Sequence, residues 1–442
     1  MISKYTRLIN QRKAVKSICP NAVEVKYLHV DIEQCQPELD IYNLDESYTI
    51  SIPHNGPVFI RSKQFNGLLY ALETFSQLIT YADKNFFFTG KINDRPRFKH
   101  RGLMLDTSRH FLPVEIIKLH LNAMSINKMN VFHWHIVDDQ SFPYRGFSMP
   151  YISEQHSFDP VESVYYPSDI EDVKDYANSL GINVIFELDN PGHTKSWGKE
   201  VLTKCEFGDS VFEGLDPSNV LTWNRLHAIF KEFYQNDMLK PYVHIGFDEV
   251  NTTCWQSNKE VNQFMEKLQI GGNYNKLVEY MMKREVEMIS ALQNNSRIIL
   301  WDDILDSTFE IPPNVIIQIW RNQAGIVHDK LLKLQTPVIY SSCYYLNYIN
   351  YGSDWKNMYM CSLETDLNLI GGEACVWAEY IDDSNSIQTT WPRASAVAER
   401  LWSFTSEENI NFDEVSKRID QMRCLLKSRG INAQPVNENT SC

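Results

Sequence analysis

Arg101-Gly-Leu-Met-Leu-Asp106 and Met129-Asn-Val-Phe-His-Trp-His-Ile-Val137 read as two buried strands with a helix between them. Val114, Ile117, Leu121 and Met124 fall at spacings of 3, 4 and 3, on one helical face, and Pro113 stands where such a helix would start. Strand, crossover helix and strand make the unit from which parallel sheets are built. The alternation continues. Further strand-like runs lie at 183–188, 242–247, 297–301, 315–320, 337–341 and 369–377, with helical segments between most of them. Eight strands with helical crossovers predict an α/β chain, a (β/α)8 TIM barrel over residues 96–442 that ends in a C-terminal helix and tail. A doubly wound open sheet is the competing arrangement, but no GxGxxG or P-loop supports it. Residues 1–95 read as a smaller α+β domain. Tyr48-Thr-Ile-Ser-Ile and Pro57-Val-Phe-Ile are its strands, Asn55-Gly56 its turn, 67–79 its helix and Asp94-Arg-Pro96 its boundary.

The chain has 442 residues, 43% of them hydrophobic, and a formal net charge of −14. With no run of basic residues, that charge excludes nucleic acid as an expected partner. No stretch approaches the roughly 20 apolar residues that a membrane span requires. The nine cysteines form no CxxC, which disfavours zinc. Cys205 and Cys254 flank loops, and Cys424 and Cys442 bracket the tail; both spacings suit disulfides. Asn251, Asn294 and Asn439 each open an Asn-x-Ser/Thr sequon. These features predict a secretory-pathway protein, lysosomal or secreted. Its signal peptide is absent from this chain, since Met1-Ile-Ser-Lys-Tyr-Thr-Arg7 has no apolar core.

A barrel of this type places its site at the C-terminal ends of the strands. Here seven of the eight ends are polar: Asp106-Thr-Ser-Arg109-His110, Asp138-Asp139, Glu187-Leu-Asp189-Asn190-Pro-Gly-His193, Asp248-Glu249, Trp301-Asp302-Asp303, Trp320-Arg321 and Trp377-Ala378-Glu379. Trp301, Trp320 and Trp377 suit the walls of a pocket for a ligand with apolar C–H faces and many hydroxyls, a sugar. The carboxylates and Arg109 would orient it. Asp248 and Glu249 end an apolar strand, where burial can push two pKa values apart and set a proton donor beside a charged stabiliser. Asp138, His193 and Glu249 close neighbouring strands. They predict a relay in which Asp138 fixes the imidazole and the imidazole tunes Glu249. His133-x-His135 shares one strand face, as metal-dependent barrel hydrolases require. Its place on the second strand, among bulky apolar residues, points to packing instead. No metal and no cofactor are expected.

Arg101-Gly-Leu-Met-Leu-Asp-Thr-Ser-Arg-His110, His133-Trp-His-Ile-Val-Asp-Asp-Gln-Ser-Phe-Pro143, Pro191-Gly-His-Thr194, Asp248-Glu249 and Trp391-Pro-Arg-Ala-Ser-Ala-Val-Ala-Glu-Arg-Leu-Trp402 together resemble β-N-acetylhexosaminidases of glycoside hydrolase family 20, the animal lysosomal type above all. The resemblance covers nearly the whole chain. It implies an exo-glycosidase acting on terminal β-linked N-acetylglucosamine or N-acetylgalactosamine of a glycan or glycoconjugate. The mechanism it implies is retaining, without a protein nucleophile: the sugar's own 2-acetamido carbonyl attacks the anomeric carbon to give an oxazolinium ion. By this resemblance Glu249 is general acid and then base, and Asp248 accepts the acetamido N–H and stabilises the positive charge. Asp138 and His193 are the acid-tuning pair. Arg109, Asn347 and Glu379 would reach the outer hydroxyls, Trp301, Trp320 and Trp377 would box the ring and methyl, and Tyr345 would hydrogen-bond the acetamido oxygen. Cys205–Cys254 and Cys424–Cys442 disulfides and a homodimer formed through the barrel are also implied.

Three positions depart from the family pattern. Phe247 replaces a glycine before the acid pair; so large a ring could narrow the site or shift the strand end, and accommodation is expected. Asn347 stands where many members have Asp and is followed by Tyr348 rather than Arg, which suggests neutral substrates. Cys35 stands at a family disulfide position but lacks its usual upstream partner; either Cys19 substitutes or Cys35 is free. An inactive barrel that only binds glycans is the alternative that Phe247 and the missing signal motivate.

Overall fold

The computed structural model describes residues 5, 22–24, 27–34, 40–78, 80–81, 85–207, 211–236, 238, 241–306, 310–321, 326–348, 350, 352–363, 367–438 and 442. Eight strands close into a parallel barrel in chain order: His100–Asp106, Val131–Val137, Asn183–Asn190, Tyr242–Gly246, Arg297–Trp301, Val315–Ile319, Val338–Tyr340 and Leu369–Val376. They are the eight strands expected, each within two residues at either end. The second strand is buried at every position, which is why the sequence there is a continuous run rather than an alternation. Helix Val114–Ile126 starts directly after Pro113 and turns Ile117, Leu121 and Met124 into the core. Before the barrel lies a four-stranded sheet in the order Leu28–Gln34, Val58–Gln64, Tyr48–Ile52, Gly90–Asp94, packed against helix Phe65–Gln77. A buried ion pair joins the two parts: Arg101 Nη1 lies 2.7 Å from Glu46 Oε2.

The barrel interior is layered. At its lower end Val131, Ile185, Tyr242, Ile299, Ile316 and Ile339 cluster with Ile41 and Leu44 from the preceding sheet unit. Branched apolar side chains usually fill the next layer too. Here that layer is polar. His135 and His244 stand in register on either side of Glu187. Glu187 lies 3.0 Å from a nitrogen of His133, 2.5 Å from His135 Nδ1 and 3.0 Å from His244 Nδ1. Glu373 sits 2.7 Å from His133 Nδ1 and 2.9 Å from His100 Nε2, and it accepts from Gln318 Nε2 at 2.8 Å. Gly102 makes room for it, since a Cβ there would fall 2.3 Å from Glu373 Oε2. Buried charges persist where they are paired in this way.

Burial disfavours the imidazolium forms, but the carboxylates outweigh it and hold His133 up at about 9 and His135 at about 10. The same contacts hold the Glu187 and Glu373 carboxyls well below the usual range against their burial. The raised histidines stabilise fully below the unfolded value of 6.5 and lose that contribution as pH rises through 9 to 10. The depressed glutamates stabilise above 4.5 and lose it only in strong acid. Burial also raises Asp302 to about 6 and Glu285 to about 8, so ionising them costs stability as pH climbs from about 4. His244, depressed by burial, opposes this trend below 6.5. The sum favours mild acid. The melting temperature is expected to peak between about pH 4.5 and 6.5 and to decline towards pH 9. A scanning-calorimetry profile that rises through pH 8 would contradict it.

Cys205–Cys254 and Cys424–Cys442 are paired, and a third bridge, Cys343–Cys361, was not anticipated. An odd cysteine count gives no pairing rule, and this bridge spans a loop that carries helix Trp355–Tyr359. Cys375 is buried and unpaired, while Cys19 and Cys35 lie outside the described residues. Asn251 and Asn294 are exposed, and Asn439 also lies outside the described residues. Among the described residues no helix is long and apolar enough to cross a membrane.

Candidate active site

The fourth strand ends in a tight reversal. Gly246, Phe247 and Glu249 all take left-handed backbone angles, with φ of 70°, 67° and 47°. Gly246 has no alternative, because a Cβ there would fall 1.6 Å from Asp189 Oδ1. The Phe247 N–H donates to the Asn190 carbonyl at 3.1 Å. With that geometry the Phe247 ring turns into the main core and is 1% exposed, outside the aromatic cluster of the pocket. Phe247 is thus accommodated without narrowing the pocket. A left-handed non-glycine residue costs about 1–2 kcal/mol, whereas losing a buried Phe side chain costs about 3–5 kcal/mol. Phe247→Gly is accordingly expected to destabilise the fold by roughly 2–3 kcal/mol despite the relieved backbone. Urea unfolding that showed a gain in stability would reverse this ranking.

The reversal separates the two acids. The Asp248 side chain is 11% exposed and that of Glu249 is 59% exposed. Asp248 Oδ1 is buried without a hydrogen-bond partner among the described residues. Burial pushes the Asp248 carboxyl up to about 7, with the positive charge of His193 only partly opposing it. Glu249 moves the other way, lowered first by its hydrogen bond to His193. So the two acids are pushed apart as expected, but in the order that leaves the proton on the sealed Asp248 below about pH 7. His193 Nε2 lies 3.5 Å from Glu249 Oε2 and 3.7 Å from Asp248 Oδ2, and Nδ1 lies 3.2 Å from Asp138 Oδ1. Asp138 continues the chain inward to His135 Nε2 at 2.8 Å and sideways to Arg109 Nη2 at 2.7 Å.

Trp301 and Trp377 form the buried wall of the pocket with ring centres 5.8 Å apart, and Trp320 and Tyr345 pack at its edge. Each Trp is fixed by a carboxylate or cation. Trp301 Nε1 donates to Glu187 at 2.8 Å, and Trp320 Nε1 donates to Asp303 at 2.7 Å. Arg109 lies over the Trp377 ring, 4.9 Å from its centre, and also pairs with Asp106 at 3.0 Å. Asp303 has a second task, accepting the Glu249 N–H at 3.2 Å. Glu379 is exposed, near enough for its charge to act on Arg109. Asn347 Oδ1 is buried with no hydrogen-bond partner among the described residues, and Tyr348 stacks on Tyr345 at 5.8 Å. Glu187, Asp189 and Asp303 stand in the sequence only as strand-end carboxylates that could orient a sugar, with no individual role.

By distance alone three trios could hold an ion: His133, Glu187 and His244; His135, Asp138 and Asp189; and Asp189, His193 and Asp248. The imidazoles in these trios already face carboxylates, which is the arrangement of an ion-pair network.

Paired acids beside an aromatic pocket, at the C-terminal mouth of a parallel barrel, define a glycoside hydrolase. The description "Glycosyl hydrolase family 20, catalytic domain" matches residues 98–405, and "beta-acetyl hexosaminidase like" matches residues 4–78. The chain belongs to glycosyl hydrolase family 20. It is 40% identical over 410 residues to beta-hexosaminidase subunit alpha of Bos taurus, covering 89% of this chain and 77% of that one. It is 38% identical over 435 residues to subunit beta of Homo sapiens, covering 93% and 76%. The solved chitobiase of Flavobacterium johnsoniae superposes with a TM-score of 0.81 at 27% identity, covering 97% of this chain and 67% of that one.

Proposed function

We propose that this hydrolase is an exo-β-N-acetylhexosaminidase that removes terminal, non-reducing β-linked N-acetylglucosamine or N-acetylgalactosamine from glycoconjugates with retention. One observation carries the assignment of roles: a buried Asp248 oxygen without a donor, beside a tryptophan-walled pocket, next to an exposed Glu249 in reach of His193. An acetamido N–H supplies the donor that Asp248 lacks. In the first step Glu249 protonates the glycosidic oxygen while the substrate's acetamido oxygen attacks the anomeric carbon. Asp248 then faces the positive charge that spreads onto the acetamido nitrogen. Tyr345 hydrogen-bonds the attacking oxygen and the three tryptophans exclude water. In the second step the Glu249 carboxylate takes a proton from water as that water opens the oxazolinium ring. Arg109, Asn347 and Glu379 hold the outer hydroxyls, and Asp138 orients His193. The inactive-barrel alternative loses its main motive, because Phe247 turns away from the pocket.

The test compares 4-nitrophenyl β-N-acetylglucosaminide with 4-nitrophenyl β-glucoside, which lacks the acetamido group. Turnover of the first alone, with the β-anomer appearing first by NMR, is expected. Comparable turnover of both would overturn the mechanism.

The productive state holds one proton on Glu249 and none on Asp248. It has the same proton count as the resting state, in which Asp248 holds that proton, so the pair titrates as a unit. Since Asp248 sits at about 7, kcat/KM is expected to fall above about pH 7, by roughly tenfold per unit. It is expected to fall again in acid, below the ordinary glutamate range, where the pair takes a second proton. A profile still level at pH 9 would contradict this.

The named relatives are called subunits, which supports an oligomer for this chain, and a homodimer is the form proposed. Three disulfides and two exposed sequons support a lysosomal or secreted location.

A further inference from the structure

Beneath Asp248 lies a carboxyl group to which the reaction as described gives no task. Asp189, near the end of the third strand, is 1% exposed, and neither of its oxygens has a hydrogen-bond partner among the described residues. Polar atoms of Asp189, His193 and Asp248 lie within 4.8 Å of one another. The backbone is shaped around this approach, since only a residue without Cβ fits at position 246 while Asp189 occupies its place.

Two carboxylates so close and so far from water resist ionising together, and His193, the cation that faces both, gives Asp189 no hydrogen bond. The charged groups that face Asp189 are Asp248, Glu187, His193, Asp138 and His135. Both His135 nitrogens are engaged, by Glu187 and Asp138. His193 Nδ1 is engaged by Asp138, whereas Nε2 lies 3.5 Å from Glu249 and 3.7 Å from Asp248 without a close hydrogen bond among the described residues. Neither Asp189 oxygen receives a hydrogen bond from either imidazole. Burial, reinforced by the charge of Asp248, pushes its carboxyl well above the usual range.

We propose that Asp189 is a positioning residue: it stays protonated during turnover and offers its O–H to Asp248, directly or through one water, so that Asp248 is the anion of the pair. The inference rests on the role given to Asp248 above. No proton is transferred; the hydrogen bond lowers the energy of the Asp248 anion that the oxazolinium ion requires.

The test is the pH profile of kcat/KM for Asp189→Asn and Asp189→Leu, with infrared difference spectra of wild type against Asp189→Asn. Asn is neutral and still donates, so the alkaline limb is expected to stay where the wild type has it. Leu cannot donate. Its alkaline limb is expected to move up by about one unit or more, with the optimum lowered about tenfold or more, because ionised Asp248 becomes rarer. The spectrum is expected to lose a carboxylic-acid C=O band in Asp189→Asn, a readout independent of activity and of whether Asp189→Leu folds. An alkaline limb moved down in Asp189→Asn would mean that Asp189 is an anion in the wild type, and would overturn the proposal. So would an unmoved limb in folded Asp189→Leu, or no band lost. Full activity in Asp248→Asn would instead sink the reading of the site itself.

Discussion

Glu249→Gln is expected to lower kcat/KM on a β-linked N-acetylglucosamine disaccharide by about 10²–10⁴-fold, the usual worth of a positioned general acid. The amide occupies the same space but has no acidic proton for the departing sugar hydroxyl. A 4-nitrophenolate leaves with little help, so the first step on the nitrophenyl glycoside is expected to lose much less. Its kcat still falls, because the same side chain must take a proton from water in the second step. The side chain is 59% exposed, so folding stability is expected to change by no more than about 0.5 kcal/mol. Kinetics on both substrates decide the matter. Equal losses on the two would argue against Glu249 as the proton donor, and losses under tenfold on both would remove it from the chemistry.

Asp248→Asn is the second large effect. Its expected cost is about 10²–10³-fold, mainly in kcat, since the positive charge it faces exists only after the acetamido oxygen attacks. Asn retains an acceptor oxygen but neither the charge nor freedom from an N–H that would oppose the substrate's own. The variant is also expected to shift the pH profile. With Asp248 gone, Glu249 titrates alone at its lowered value, so the alkaline limb moves towards acid. Stability should move in the opposite direction to activity. The Asp248 carboxyl rises from 3.8 to about 7 on folding, so the wild type loses folding free energy as pH climbs through that interval. The amide does not. Asp248→Asn is therefore expected to melt higher than wild type at neutral pH and no higher near pH 4, the exchange of stability for activity seen at many active sites. Calorimetry at the two pH values checks it.

The parts of this molecule legible in its sequence are those set by short-range pattern. Buried parallel strands must be apolar throughout and stop at polar residues, so all eight could be read, together with the polar ends that surround the pocket. Pro113 marked a helix start for a local steric reason. The polar interior layer was not legible in this way. Glu373 and His133 are 240 positions apart and meet only through barrel closure and register. The His133-x-His135 pair read as packing among apolar residues, whereas both imidazoles lie buried among carboxylates, which no local pattern could specify. The direction of the acid pair's pKa split depends on which of two adjacent side chains a left-handed turn exposes. The Cys343–Cys361 bridge depends on how a surface loop folds back. Asp303 earned no role from sequence because its two contacts, with Trp320 and the Glu249 backbone, come from different strands.

Positions 246 and 247 precede the acids as neighbours, yet they are free to vary under different rules. At 246 the constraint is excluded volume, and any side chain collides with the carboxyl of Asp189. At 247 it is a backbone preference together with core packing, and the direction of the turn sends the side chain out of the substrate's path. A mutational scan would therefore show intolerance at the first position and exchangeability among large apolar residues at the second. A lineage can drift at 247 by repacking its core while the chemistry one residue further on stays as it was.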